Sequence, residues 1–155
     1  MTSFFAFYVI FVLVPVTGPT FYYKAVGIDQ ITAGAFPNLH DYFNSHTECL
    51  PSPGYTDGIF YQLVEDAKAA GERPTAAFPS SHVGISTVIM LLIWHTKNRR
   101  LLYCMLPFYV FLCFATVYIQ AHYAVDALAG LVSGAAFYAL FMYLSRGMVE
   151  TRKKR

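Results

Sequence analysis

Residues 101–121 read LLYCMLPFYVFLCFATVYIQA and contain no Asp, Glu, Lys or Arg. A helix needs roughly 20 apolar residues to cross the hydrocarbon core of a bilayer, and this run supplies them. Three other stretches lack the same four residue types, at 1–23, 74–96 and 127–145. Since backbone groups in lipid must pair within their own segment, each stretch is expected to be helical. The pattern predicts four membrane-spanning helices, at about 3–22, 80–96, 101–120 and 124–145.

The composition argues against an ordinary soluble domain. Of 155 residues, 56% are hydrophobic and 13% are charged, whereas a soluble domain is about one-quarter charged. A chain this short would have too little polar surface to cover so apolar a core. We therefore predict a single all-α membrane domain, an integral helical bundle with four visible spans.

The charged residues predict the orientation. Three basic residues fill the link at 97–100 and five follow the last span, which together make eight of the eleven Lys and Arg. Seven of the nine acidic residues lie in the segment 24–79 instead. By the positive-inside rule the link and the tail are cytoplasmic. The segment 24–79 is then outside, and both termini are inside. The net charge of +2 gives no reason to expect a nucleic-acid partner.

Two segments leave alternatives open. The first span lacks a basic lead-in and a clear small-residue cleavage site, so a retained helix is favoured over a cleaved signal peptide. Within the outer segment, residues 58–70 are expected to form a short helix, with Phe60, Leu63, Val64 and Ala67 on one face. Such a helix fits the membrane surface and a cap packed over the spans equally well.

Three ionisable residues are predicted to gather at the outer ends of the spans. His82 opens the second span, after Ser80 and Ser81, either of which suits a helix cap. His122 and Asp126 open the fourth span at a separation of four, within hydrogen-bond reach on one helical face. A lone histidine or Asp at such a position is usually structural. Ionisable groups at a membrane-embedded helix end are costly, however, and their convergence favours a functional site.

Such a set suits phosphoryl transfer. A carboxylate that holds one imidazole nitrogen leaves the other free to attack phosphorus, and a second histidine can protonate the leaving alcohol. The N-termini of helices would help to hold the phosphate oxygens. This chemistry requires no metal or other cofactor. The three cysteines, at 49, 104 and 113, show no metal-ligand spacing.

At these residues the chain resembles the type 2 phosphatidic acid phosphatase superfamily. Pro79-Ser80-Ser81-His82 is similar to its second motif, PSGH, and the run Tyr118-(x3)-His122-(x3)-Asp126-(x3)-Gly130 to its third, SRxYxxxHxxxDxxxG. The resemblance implies that His122 is the nucleophile, Asp126 its orienting partner and His82 the general acid. It also implies that Ser80 and the backbone around Ser81 contact the phosphate.

The motifs TAAFPSSHVG and QAHYAVDALAG, with Gly18-Pro19-Thr20-Phe21-Tyr22, are most similar to the inositol phosphorylceramide synthase branch. Members of the superfamily usually have six spans, so the resemblance allows this chain to be a C-terminal portion that lacks two helices. The first motif, KxxxxxxRP, is matched only at Arg73-Pro74, because Asp66 stands where the lysine is expected. Arg73 is the best remaining candidate for a phosphate-binding cation, and Lys68 is the second candidate.

The leading prediction is therefore a lipid phosphatase or phosphotransferase at the outer leaflet, with a lipid phosphate ester as substrate and water or a lipid alcohol as acceptor. A non-catalytic lipid-binding subunit is the alternative. It is supported by two missing phosphate-binding cations, since Asp66 replaces the lysine of the first motif and Ala115-Thr116 replace the Ser-Arg that opens the third. A small transporter with a His/Asp proton relay is the third. The lipid and the oligomeric state stay open.

Overall fold

The computed structural model describes residues 2–153, with side chains through residue 145. This part of the chain is all-helical, without strands, and its only other regular element is a 3₁₀ turn at His40–Asn44. It contains seven α-helices: α1 (Thr2–Leu13), α2 (Pro19–Val26), α3 (Ile28–Thr32), α4 (Ile59–Gly71), α5 (Ser81–His95), α6 (Arg99–Tyr118) and α7 (Ala124–Lys153). The all-α prediction is confirmed. The predicted basic tail, residues 146 and 152–155, lies outside the described side chains.

Two helices are long and apolar enough to cross a membrane. They are Arg99–Tyr118, with a mean hydropathy of 1.9, and Ala124–Ser145, with a mean hydropathy of 1.8. The apolar helices Thr2–Leu13 and Ser81–His95 are shorter. At 1.5 Å per residue they extend about 18 and 23 Å, less than the hydrocarbon core of about 30 Å. The described helices thus show two candidate spans where the sequence predicted four.

The first predicted span, 3–22, is two helices separated by a break. α1 ends at Leu13 and α2 begins only at Pro19. Pro15 lacks the N–H that would continue the helical ladder, and Gly18 has an extended backbone as the cap of α2. The freed backbone of Val16 pairs with Ala76 in an isolated parallel bridge. The apolar composition was read correctly as helix, but the first helix ends at Leu13, two residues before Pro15.

Helices α5 and α7 pack closely against each other, because glycines allow their backbones to approach. A Cβ at Gly130 would clash with the carbonyl oxygen of Ser80, and one at Gly134 with that of Gly84. Small residues allow such close approach in membrane helices. The ring of Phe7 from α1 fills the remaining space over Gly84 and is fully buried. α1, α5 and α7 therefore share one core.

Three loops are joined by main-chain hydrogen bonds at one end of this bundle. Gly18 N–H donates to the carbonyl of Pro74 at 3.0 Å, and Ala77 N–H donates to that of Val16 at 3.1 Å. Thr20 N–H donates to the carbonyl of Gln120 at 3.3 Å. The segments before α2, before α5 and before α7 are thus held together. This junction carries both histidines of interest.

Candidate active site

His82 lies in the first turn of α5. The hydroxyl of Ser80, one of the two serines expected to suit the cap, caps that helix by accepting from Val83 N–H at 3.4 Å. The carbonyl of Ser80 accepts from Gly84 N–H at 2.9 Å. These bonds fix where α5 starts and hence where the imidazole emerges. The side chain of His82 is exposed.

His122 lies in the loop between α6 and α7 and is only 6% exposed. Its backbone N–H donates to the carbonyl of Thr116 at 3.1 Å. Its Nδ1 lies 2.7 Å from the carbonyl oxygen of Ala77. A carbonyl can only accept, so Nδ1 carries the proton and Nε2 keeps its lone pair. The nitrogen left with the lone pair is the one that nucleophilic attack requires.

The two imidazoles face one another. Their ring centroids are 5.8 Å apart and their planes meet at 60°. This distance could not be read from the sequence, since the two histidines are 40 residues apart along the chain. At this separation one tetrahedral phosphorus can lie between a nucleophilic nitrogen and a proton donor.

Burial keeps His122 in its neutral form. The pKa of the imidazole is lowered to about 4, mainly by burial; the hydrogen bond to the Ala77 carbonyl acts in the opposite direction, and the neighbouring His82 adds to the lowering. The neutral imidazole is therefore the prevailing form near pH 7. It is also the form able to attack phosphorus.

Asp126 lies beside this site, but it does not hold His122 as the sequence predicted. Its Oδ2 accepts from the backbone N–H of Tyr123 at 2.8 Å, and among the described hydrogen bonds His122 has the Ala77 carbonyl instead. The physical reason is that α7 begins at Ala124, so His122 precedes the helix and the four-residue helical spacing does not apply. Asp126 reaches back to the N-cap residue, as the third residue of a capping box does.

A family model described as the PAP2 superfamily matches residues 1–140. The chain belongs to the PAP2 superfamily. No curated protein and no solved structure matches it. Membership of the PAP2 superfamily implies phosphatase-type chemistry on lipid phosphates, and with the two apolar helices it fits a membrane protein. The resemblance to the superfamily read from the sequence is thereby confirmed.

The two serines expected to contact phosphate in this PAP2 chain differ in access. Ser80 is fully buried, and its N–H donates to the carbonyl of Asp126 at 3.0 Å, so its visible role is to join α5 to α7. Ser81, the first residue of α5, is partly exposed. Phosphate contact by either residue stays a prediction.

The two candidate cations of the PAP2 phosphate site also differ. Lys68 is buried, and its ammonium donates to the Leu50 carbonyl at 2.8 Å, the Ser52 hydroxyl at 3.1 Å and the Glu65 carboxylate at 3.2 Å. These three acceptors occupy all three ammonium protons. Arg73, by contrast, has an exposed side chain in the segment that leads to α5. Phosphate binding by either cation stays a prediction, and of the two only Arg73 has a side chain exposed to solvent.

The sequence reasoning missed the Ala77 carbonyl. A backbone acceptor leaves no signal in residue identity, and its partner lies 45 positions along the chain. It also missed that the 14–18 loop pairs with the segment before α5 through Val16 and Gly18, since residues 14–18 were predicted to be part of a span. Among the described residues, no three or more His, Cys, Asp or Glu side chains gather as a metal site.

Proposed function

We propose that this chain is a membrane-embedded lipid phosphatase or phosphotransferase that works through a phosphohistidine at His122. One observation carries the proposal. A buried, neutral imidazole is held through Nδ1 by the Ala77 carbonyl, while a second, exposed imidazole lies 5.8 Å away. Membership of the PAP2 superfamily supports the same class of chemistry.

The proposed reaction has two steps. First, Nε2 of His122 attacks phosphorus and the bond from phosphorus to the lipid alcohol breaks. His82, protonated, gives its proton to the departing oxygen. Second, water or a lipid alcohol attacks the phosphohistidine. His82 takes the proton from that nucleophile, and the N–P electron pair returns to His122.

The phosphate oxygens need donors that persist through both steps. The N–H groups of Ser81 and His82 supply part of them, because the first N–H groups of a helix have no partner within it and the helix dipole favours an anion. The guanidinium of Arg73, in the segment between α4 and α5, supplies a positive charge to the phosphate. Asp126 keeps the start of α7 in place beside His122 and does not itself exchange a proton.

The proposed membrane arrangement supports access to a lipid. Four apolar segments cross or enter the bilayer, the segment 24–79 lies outside, and both termini are cytoplasmic. The reactive pair then lies at the outer interface, where a phosphorylated headgroup meets it. Similarity to the inositol phosphorylceramide synthase branch favours transfer to an alcohol beside hydrolysis.

The test uses purified chain in lipid vesicles and a panel of lipid phosphates, with and without an alcohol acceptor. His122→Ala should lower turnover by more than about 10³-fold and His82→Ala by about 10²–10⁴-fold. His40→Ala, in an exposed outer turn, is the matched control and should retain activity. Activity should survive EDTA, be lost with vanadate, and pass through an acid-labile phosphoprotein absent from His122→Ala.

One observation favours the second candidate, a non-catalytic lipid-binding subunit: Lys68 is bonded to protein groups and is not free for phosphate. Under that alternative the wild-type chain would bind vesicles that contain a lipid phosphate, yet release no phosphate and form no phosphoprotein with any member of the panel. That result would overturn the enzyme proposal.

A further inference from the structure

Helix α4 stands apart from the bundle. No other described helix packs extensively against it, whereas α5 packs on α1, α6 and α7. Its C-terminal end is nevertheless fixed, because Pro74 lies three residues beyond it and accepts a hydrogen bond from Gly18 at 3.0 Å. α4 therefore projects from the loop junction that carries the histidines, and it does not form a cap over the spans.

The ionisable side of α4 faces inward. Lys68 is 5% exposed and bonds to Leu50, Ser52 and Glu65. The Glu65 carboxylate also accepts from the backbone N–H of Ser52 at 2.9 Å. This cluster fastens the helix to the 50–52 loop. It leaves the opposite side of the helix without protein contacts of comparable extent.

The apolar side of α4 faces outward. Ile59 is 69% exposed, Phe60 80% and Leu63 60%, and Ala67 follows on the same face at helical spacing. Gln62 and Asp66 are also exposed and occupy the adjoining face. A helix turned toward water would bury its large apolar side chains and expose its lysine. In α4 the large apolar side chains are exposed and the lysine is buried.

We propose that α4 lies in the plane of the outer leaflet, with Ile59, Phe60 and Leu63 inserted at the boundary between headgroups and acyl chains. The occupant of the apolar face is the phospholipid leaflet itself. The two candidate spans, α6 and α7, are joined by the loop that carries His122, so a bilayer crossed by both would have one surface beside the junction from which α4 projects. The three faces match an interfacial helix: an apolar face in lipid, Gln62 and Asp66 toward water, and a third face fastened to the protein.

The inference rests on the outer location given under the proposed function, and it adds a role for α4. Since the helix ends two residues before Arg73, its depth in the leaflet sets the depth of that guanidinium. The Lys68 cluster is then a fastening between the interfacial helix and the outer loop.

The experiment places a single tryptophan on each face of α4 in the full chain, reconstituted in phosphatidylcholine vesicles. Trp94 is the only natural tryptophan, so Trp94→Phe is the background. Phe60→Trp reports the apolar face and Gln62→Trp, two positions away, is the matched control. Quenching by shallow brominated phosphatidylcholine and by aqueous iodide is measured for both, and lipid-phosphate turnover is recorded separately.

We expect brominated lipid to quench Phe60→Trp at least twofold more strongly than Gln62→Trp, and iodide to show the opposite order. Equal access of both to iodide would overturn the inference. Protection of Phe60→Trp from both quenchers would also overturn it, since that result would mean a covering protein surface such as a second copy. Quenching needs no turnover, so an inactive protein with the expected quenching pattern would contradict the proposed function and still support the interfacial position of α4.

Discussion

The hydrogen bond from His122 to the Ala77 carbonyl decides which imidazole nitrogen is nucleophilic. Its effect differs from that of a carboxylate, since a neutral carbonyl orients the ring without adding a negative charge beside it. Burial then dominates and holds the pKa of His122 at about 4. The residue is thus prepared as a neutral nucleophile, without proton removal near pH 7.

The pH dependence of turnover follows from that pKa. The attacking form of His122 is neutral, and its folded pKa of about 4 lies below the ordinary value of 6.5. We expect kcat/KM to stay high between pH 5 and 6 and to fall only as the pH drops through about 4. A phosphodiester lipid is the suitable substrate because it does not titrate there. An acid limb near 6.5 would contradict the burial of His122.

Asp126 gives a second residue-level prediction. Its carboxylate accepts from Tyr123 N–H at the start of α7, and the amide oxygen of an asparagine can replace that acceptor. We expect Asp126→Asn to retain more activity and thermal stability than Asp126→Ala, with the alanine variant losing about 1 kcal/mol of stability as for a lost cap. Turnover and thermal unfolding in detergent measure both. Equal loss in the two variants would show that the charge matters, not the cap.

At the scale of elements, the contact between α5 and α7 depends on absent side chains. An alanine Cβ at Gly130 would meet the Ser80 carbonyl, and one at Gly134 the Gly84 carbonyl, both backbone atoms that cannot rotate away. We expect Gly130→Ala and Gly134→Ala each to cost about 1–3 kcal/mol of stability as the helices separate. Gly71→Ala in α4, with nothing within 4 Å of the new Cβ, is the control.

Thermal unfolding of the three glycine variants in one detergent measures this difference. Gly71→Ala should be neutral or slightly stabilising, since alanine is the better helix former by about 1 kcal/mol. Gly130→Ala should also lower turnover, because the displaced Ser80 caps the helix that carries His82. Stability of Gly130→Ala equal to that of Gly71→Ala would contradict the close packing.

How far the elements were predictable depends on whether local sequence decided them. Residues 58–70 were expected to be helical and α4 covers Ile59–Gly71. A serine cap on α5 was also predicted, with Ser80 and Ser81 as the candidates, because capping depends on local sequence. The end of α1 was missed because Val14, Pro15 and Val16 read as one apolar run. Pro15 cannot continue the helical hydrogen bonds, and in the structure Val16 pairs with Ala76 instead.

In the candidate site, too, features set by local sequence were predicted and features set by tertiary contacts were not. The family motifs identified His82 and His122, and the structure brings their rings together. The partner of His122 was mistaken, since four-residue spacing predicts a contact only inside a helix and α7 begins after His122. Lys68 was considered for phosphate because of its charge, but the loop at 50–52 binds it. Residue types alone did not show which polar groups tertiary contacts would occupy.

At the scale of the whole molecule, the proposed orientation can be tested by labelling. In a variant without the three native cysteines, Asp57→Cys reports the exposed outer segment and Lys97→Cys the link between α5 and α6. We expect a membrane-impermeant thiol reagent to label Asp57→Cys in intact cells and Lys97→Cys only after permeabilisation, because the basic link stays on the cytoplasmic side. Labelling of both without permeabilisation would contradict the arrangement.

The peptide unit of Ala77 has a consequence for how this sequence can diverge. Its N–H donates to Val16 and its carbonyl accepts from His122, so both contacts are independent of the methyl group. Replacement by serine should leave the imidazole aligned, whereas proline would delete the donor. Because Ala77 is buried, only exchange among small residues would be largely silent in function, and a comparison of residue identities would overlook the carbonyl that orients the nucleophile.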